Sequence, residues 1–139
     1  MASTTDKSRE IVQSIYDNAA SGNFEAIVRV LDENIIVTPP PYWPWAGPYT
    51  NREDWLAKCL PMIGTVYDMS SLTCTKLIAE GDEVVASLKG RVLESGEEIE
   101  GLEIWKIRDG KAIEMKVFAF DPRPVDRQLA KVALKAREA

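Results

Sequence analysis

Three turn signals, Glu80-Gly81-Asp82, Ser95-Gly96 and Asp109-Gly110, recur about every fifteen residues in the second half of this chain. Around them lie runs rich in β-branched and aromatic residues, roughly 70–79, 83–93, 98–108 and 111–121. Short glycine turns of this kind join antiparallel neighbours, so the spacing predicts a four-stranded meander of long strands. A single curved sheet must have its inner face covered.

The first half supplies the cover. Ile11, Val12, Ile15 and Ala19 recur at helical spacing with Tyr16 beside them, after a cap at Asp6 or a neighbour. Ser21-Gly22 stops this helix, and Asn23 caps a second whose stripe is Phe24, Ile27, Val28 and Leu31. Residues 35–38 are a short β-branched run and predict a strand. A third helix starts at Asn51, buries Trp55, Leu56, Cys59 and Leu60, and ends at Pro61 and Gly64. Between strand and helix, residues 39–50 hold Pro39, Pro40, Pro41, Pro44 and Pro48. Proline fixes φ and removes a donor, so this is a stiff irregular loop, carrying Tyr42, Trp43, Trp45 and Tyr49. Pro122 and Pro124 close the meander, and Val125, Leu129 and Val132 predict a short terminal helix.

Helices segregated from an antiparallel sheet make an α+β fold. The expected architecture is a cone-shaped curved antiparallel sheet of one short and four long strands, wrapped around three N-terminal helices. Residues 1–7 are expected to be a flexible N-terminus, 8–122 the domain, and 123–139 a C-terminal helix or tail. A cone open at one end is a natural site for a small apolar molecule.

Charge and composition narrow the chemistry. The 139 residues suffice for one domain with one core. Lys plus Arg is 17 and Asp plus Glu is 22, a net charge of −5 that repels phosphate backbones, so no nucleic-acid partner is expected. Histidine is absent, which excludes a Ser-His-Asp triad, a His-assisted thiol and a His-ligated metal. No glycine-rich phosphate loop and no EF-hand pattern occurs, so neither cofactor nor metal is expected. No apolar run approaches the roughly 18 residues of a membrane span. Met1 to Arg9 is polar with no signal-peptide core, so a cytoplasmic protein is expected, with Cys59 and Cys74 reduced.

Glu103 is the candidate with most chemistry. Ile99, Trp105 and Ile107 share its face at period two, so three apolar groups accompany one carboxyl. Inside a pocket, burial raises its pKa and makes it a proton donor or acceptor near neutrality. On an outer or dimer face it is a solvated or salt-bridged acid; the pattern fits both placements. Trp43, Trp45, Tyr49, Trp55 and Trp105 are candidate walls for a flat hydrophobic ligand, and equally candidate core and loop packing.

Several segments give the chain a family likeness. They are Gly22-Asn23-Phe24-Glu25-Ala26-Ile27, Leu31-Asp32-Glu33-Asn34-Ile35-Ile36-Val37, Ala46-Gly47-Pro48-Tyr49, Glu80-Gly81-Asp82-Glu83-Val84-Val85 and Ile107-Arg108-Asp109-Gly110-Lys111-Ala112-Ile113, ending in Phe120-Asp121-Pro122. In these the chain resembles the SnoaL-like and ketosteroid-isomerase-like branch of the nuclear transport factor 2-like superfamily. The resemblance implies a cone-shaped barrel with a central pocket and a homodimer packed through the sheet. It also implies a function among isomerases, cyclases, hydrolases, dehydratases and non-catalytic binding proteins. The general-base Asp of the isomerases falls at Pro39, their helical Tyr at Ile15 with Tyr16 one residue on, and their strand acid at Glu103. For the epoxide hydrolases the Arg falls at Arg91 and the two Asp positions at Leu93 and Phe118. If the last strand follows the family pleat, Lys116 shares a face with Phe118 and Phe120 and approaches Glu103; the opposite face of that strand is at least as apolar.

Together these readings predict a cofactor-free enzyme acting by acid–base chemistry on a hydrophobic cyclic compound such as a polyketide, terpenoid or steroid-like molecule. Glu103, Tyr16 and Lys116 are its catalytic candidates; Trp43, Trp45, Tyr49, Trp55, Trp105, Phe118 and Phe120 are its substrate contacts. The alternatives are a non-catalytic carrier using the same pocket, and an assembly module whose pocket is vestigial.

Overall fold

A computed structural model of the chain describes residues 3–138. Helix α1 (Thr4–Ser21) begins ahead of its apolar stripe because Ser3 is the cap, its hydroxyl accepting the Asp6 N–H at 3.1 Å. Of the expected flexible segment, Met1 and Ala2 lie outside the described residues, and residues 4–7 form the first turn of α1. Gly22 ends the helix at φ 77°, a left-handed conformation that suits a residue without Cβ. Asn23 caps α2 (Phe24–Val30) through the Ala26 N–H, and β1 (Leu31–Thr38) follows directly.

The third helical segment is less regular than its periodicity suggests. Asn51 caps α3 (Arg52–Asp54) by accepting from the Asp54 N–H at 2.8 Å. The chain then widens through one π turn, Trp55–Cys59, and tightens again into α4 (Leu60–Ile63). Pro61 therefore does not end the helix. It lacks an N–H and its ring crowds the carbonyl four residues back, and the extra residue in the preceding turn makes room for it. Arg52 ties this segment to the α2–β1 junction by donating to the Leu31 carbonyl at 3.0 Å.

The sheet comprises β1, β2 (Tyr67–Glu80), β3 (Glu83–Val92), β4 (Glu98–Arg108) and β5 (Lys111–Ala119), in the order β1-β5-β4-β3-β2. The four long strands form the expected antiparallel meander. β1 joins its edge parallel to β5, a pairing between distant segments that no local pattern signals. β2 begins three residues before the run that predicts it.

Register decides which side chains face inward. Ala86 of β3, Glu103 of β4 and Val117 of β5 lie on one rung, and Val84, Trp105 and Met115 lie on the next rung of that face. Between Lys106 and Ile107 the pairing slips past Ile113, so Ala112 and Met115 are both buried although three residues apart. Helix α1 crosses this concave face and buries Ser8, Val12, Ile15 and Tyr16. Helix α5 (Arg123–Glu138) is longer than the short helix predicted, buries Val125 and Gln128 and packs on β3. Its Arg127 pairs with Glu97 and its Lys135 with Glu94, both on the β3–β4 connection; Ala139 lies outside the described residues.

One inward position has no room for a side chain. A Cβ built on Gly101 lies 2.6 Å from the Phe118 carbonyl oxygen, an atom of the neighbouring strand's backbone. Gly101→Ala is therefore expected to lower stability by about 1–3 kcal/mol, the usual cost of overpacking. Urea unfolding measures it, and an unchanged midpoint would mean that the two strands separate freely here.

Candidate functional site

The concave face and the helices enclose a cavity of about 240 Å³, open to solvent on one side. Its walls are overwhelmingly apolar: Ile15 and Ile27 from the first two helices, Trp45 from the proline-rich loop, Trp55 and Leu60 from the third helical segment, Met115 from β5. Pro39 and Pro40 also line it, so the stiff loop is a wall and not a spacer.

Glu103 sits in this wall. The Tyr16 hydroxyl donates to its Oε1 at 2.5 Å, and the Trp105 indole N–H donates to the Tyr16 oxygen at 2.9 Å. The two rings meet edge to face with centroids 6.3 Å apart. Glu103 retains partial accessibility because it borders the cavity, while Tyr16 and Trp105 are buried. Burial raises the Glu103 carboxyl above the ordinary carboxylate range, outweighing the lowering effect of the Tyr16 hydrogen bond. Burial also drives the Tyr16 hydroxyl far upward, reinforced by the adjacent Glu103, so Tyr16 stays protonated as a donor. The isomerase-like alignment puts the helical Tyr at Ile15. Here Ile15 and Tyr16 both face inward, because α1 lies in the lap of the sheet and is covered over a wide arc.

The remaining candidates divide. Trp43, Trp45, Trp55 and Trp105 line the cavity. The Trp43 N–H is already engaged by Asp126 of α5 at 3.0 Å. Tyr49 donates to the Trp45 carbonyl at 2.8 Å and pairs with Val37 through its backbone, so it braces the loop and is not a cavity residue. Lys116 does not approach Glu103. It pairs with Ile104 on the outer face, with its ammonium 5.4 Å from the Phe118 ring centroid. Phe118 borders the cavity only at its margin and is 43% exposed, and Phe120 is 83% exposed. The physical reason is the pleat: the other face of β5, with Met115, Val117 and Ala119, is the apolar one and takes the core.

Tyr67 is a cavity residue that the sequence reading passes over. It stands at the first position of β2, in edge-on contact with both Trp43 and Trp45, which also touch each other. Burial, then the nearby Tyr42 and Glu103, push its hydroxyl pKa upward, and no hydrogen bond engages that hydroxyl among the described residues. An aromatic directly after a Gly-Thr-Val segment is the available signal that the strand starts there. Cys59 is fully buried, its thiol pushed up to about 11 mainly by burial, and it acts as a small hydrophobe. Among the described residues, no cluster of His, Cys, Asp and Glu is arranged to hold a metal, and no helix is long and apolar enough to cross a membrane.

The raised Glu103 pKa has a consequence for stability. Below the ordinary carboxylate range both folded and unfolded chains carry the proton, and burial of Glu103 costs little. As pH rises from that range through the raised native value, the unfolded state ionises first and the native state loses ground; above the native value the deficit is constant. Glu103→Gln keeps an acceptor for Tyr16 without the charge. It is expected to exceed the natural protein in stability by about 1–2 kcal/mol at neutral pH, with the gap closed near about pH 3. Thermal melts at both pH values check this; a gap of equal size at both refutes the assignment.

The family model described as a SnoaL-like domain matches residues 12–115. No functionally curated protein matches the sequence. Among solved structures, Bal32a from a soil-derived mobile gene cassette is 17% identical with a TM-score of 0.74, covering 89% of this chain and 97% of its own. TerC, co-crystallized with polyporic acid, is 19% identical with a TM-score of 0.73, covering 89% and 98%. An NTF2-like protein of Burkholderia thailandensis is 20% identical with a TM-score of 0.71, covering 93% and 98%.

Proposed function

The chain belongs to the SnoaL-like domain family, and from that premise we propose that its cone binds a hydrophobic ring compound on which Glu103 carries out acid–base chemistry. One observation carries the reading: a carboxyl set between Ala86 and Val117 on the concave face, held by Tyr16 and bordering the ligand space. Burial moves its pKa towards neutrality, where one group both takes and returns a proton. The tryptophan walls suit flat ring systems, and the likeness to TerC, co-crystallized with polyporic acid, is in keeping with an organic ligand. Tyr16 holds Glu103 in position, and the free Tyr67 hydroxyl is a second polar point for the ligand. Such a reaction is an isomerisation, cyclisation or hydration of a polyketide, terpenoid or steroid-like molecule, run on the side chains alone.

The carrier reading rests on a different observation. Pro39, at the position the resemblance gives to the isomerases' general base, lines the cavity and cannot take a proton. Deuterium exchange at the α-carbon of cyclic ketones in D₂O, followed by NMR, separates the readings. An enzyme accelerates exchange, and Glu103→Gln lowers that rate by about 10²-fold or more while leaving ligand affinity in place. Binding without exchange establishes the carrier. Absence of binding by the whole panel removes both.

The outer face of the sheet carries exposed Ile78, Leu102, Phe118 and Phe120. A second copy packed on this face would remove them from water, giving a homodimer through the sheet. Light scattering is expected to show a dimer for the natural protein and a monomer for Phe118→Asp; a monomer for both dismisses the interface.

A further inference from the structure

Tyr16 has one proton to donate, and Trp105 decides where it goes. An indole N–H only donates. That of Trp105 reaches the Tyr16 oxygen at 2.9 Å, and the indole is 2% exposed, so it has no other outlet. The Tyr16 proton is left with one acceptor among the described residues, Oε1 of Glu103. If Glu103 carried its own proton on Oε1, either two protons would converge between these oxygens or the Tyr16 proton would be buried without a partner, which is costly.

We propose that Trp105 is a positioning residue that fixes the direction of the chain from Trp105 through Tyr16 to Glu103, and so holds the exchangeable proton of Glu103 on Oε2. That oxygen has no hydrogen-bond partner among the described residues and is not sealed within the protein, because Glu103 borders the cavity. It is the face that a ligand meets. The Tyr16 proton is committed to Glu103, so this wall addresses a ligand through one oxygen and not through two converging donors. The ligand class follows: a neutral, mostly apolar ring compound with a single carbonyl or ether oxygen at this end, accepting from the acid form of Glu103.

This rests on Glu103 being the working group of the cavity, but its test needs no ligand and fails separately from that reading. The titratable groups facing Glu103 are Tyr16 from α1 and Cys74 and Tyr67 from β2; its rung neighbours on β3 and β5 are Ala86 and Val117. The other charged residues bordering the cavity, Asp68, Lys89, Arg91, Glu100 and Asp121, lie further along the strands.

Replacing Trp105 by benzothienylalanine exchanges the N–H for sulfur and keeps the ring shape. The Glu103 carboxyl is then followed by ¹³C NMR against pH in the ligand-free protein. Removing the N–H weakens Tyr16 as a donor, so the carboxylate loses support and Glu103 titrates roughly half a pH unit higher. In a Tyr16→Phe background the same replacement leaves the Glu103 titration in place, because the link is already cut. Trp105→Phe, with and without Tyr16, repeats the two arms in a natural side chain. A Glu103 titration that does not rise when the N–H is lost, or that rises equally without Tyr16, overturns the proposal.

Discussion

A carboxyl group on the concave side of a curved sheet is stable only when something from the covering layer meets it. Tyr16 does so from α1, and Trp105 in turn satisfies Tyr16 from the strand that bears the acid. Strand and helix are thus joined by a polar chain across the middle of an apolar interior. The neighbouring lining, Ile15, Met115 and Val117, is apolar. The chain satisfies the Trp105 N–H and the Tyr16 hydroxyl and leaves Oε2 of Glu103 uncommitted at the cavity.

The sequence made much of this legible. Three glycine turns mark the meander, and period-two alternation puts Glu103 with Trp105 and Ile107 on one face. Which face turns inward was harder. On β5 both faces are apolar enough to be buried, and the family pleat suggested the one with Lys116. The pairing of β5 with β4 settles it the other way, placing Val117 beside Glu103 and Lys116 beside Ile104 on the outer face. Tyr16 was visible as a candidate one residue from the family position, but only the breadth of α1's buried arc brings it inward. Tyr67 was missed because its strand starts before the run of strand-formers becomes obvious. The π turn at Trp55–Cys59 has no periodic signature at all; it records a steric demand from Pro61.

The structural relatives share their fold with this chain at 17–20% identity, and at that distance fold and chemistry part company. The polar groups bordering the cavity here are Glu103 with its tyrosine partner, an unengaged phenol near the tryptophans, and the charged residues Asp68, Lys89, Arg91, Glu100 and Asp121. The proline-rich loop, two of whose prolines line the cavity, gives that wall rigidity.

Helix α5 touches both the proline-rich loop and the β3–β4 connection. Asp126 holds the Trp43 indole of the proline-rich loop, while Arg127 and Lys135 hold the β3–β4 connection, and Val125 borders the cavity between them. The ion pairs are exposed and are screened by salt, whereas the Glu103 chain inside is not. Added salt therefore weakens the hold of α5 on the β3–β4 connection and leaves the hydrogen-bonded chain at Glu103 untouched.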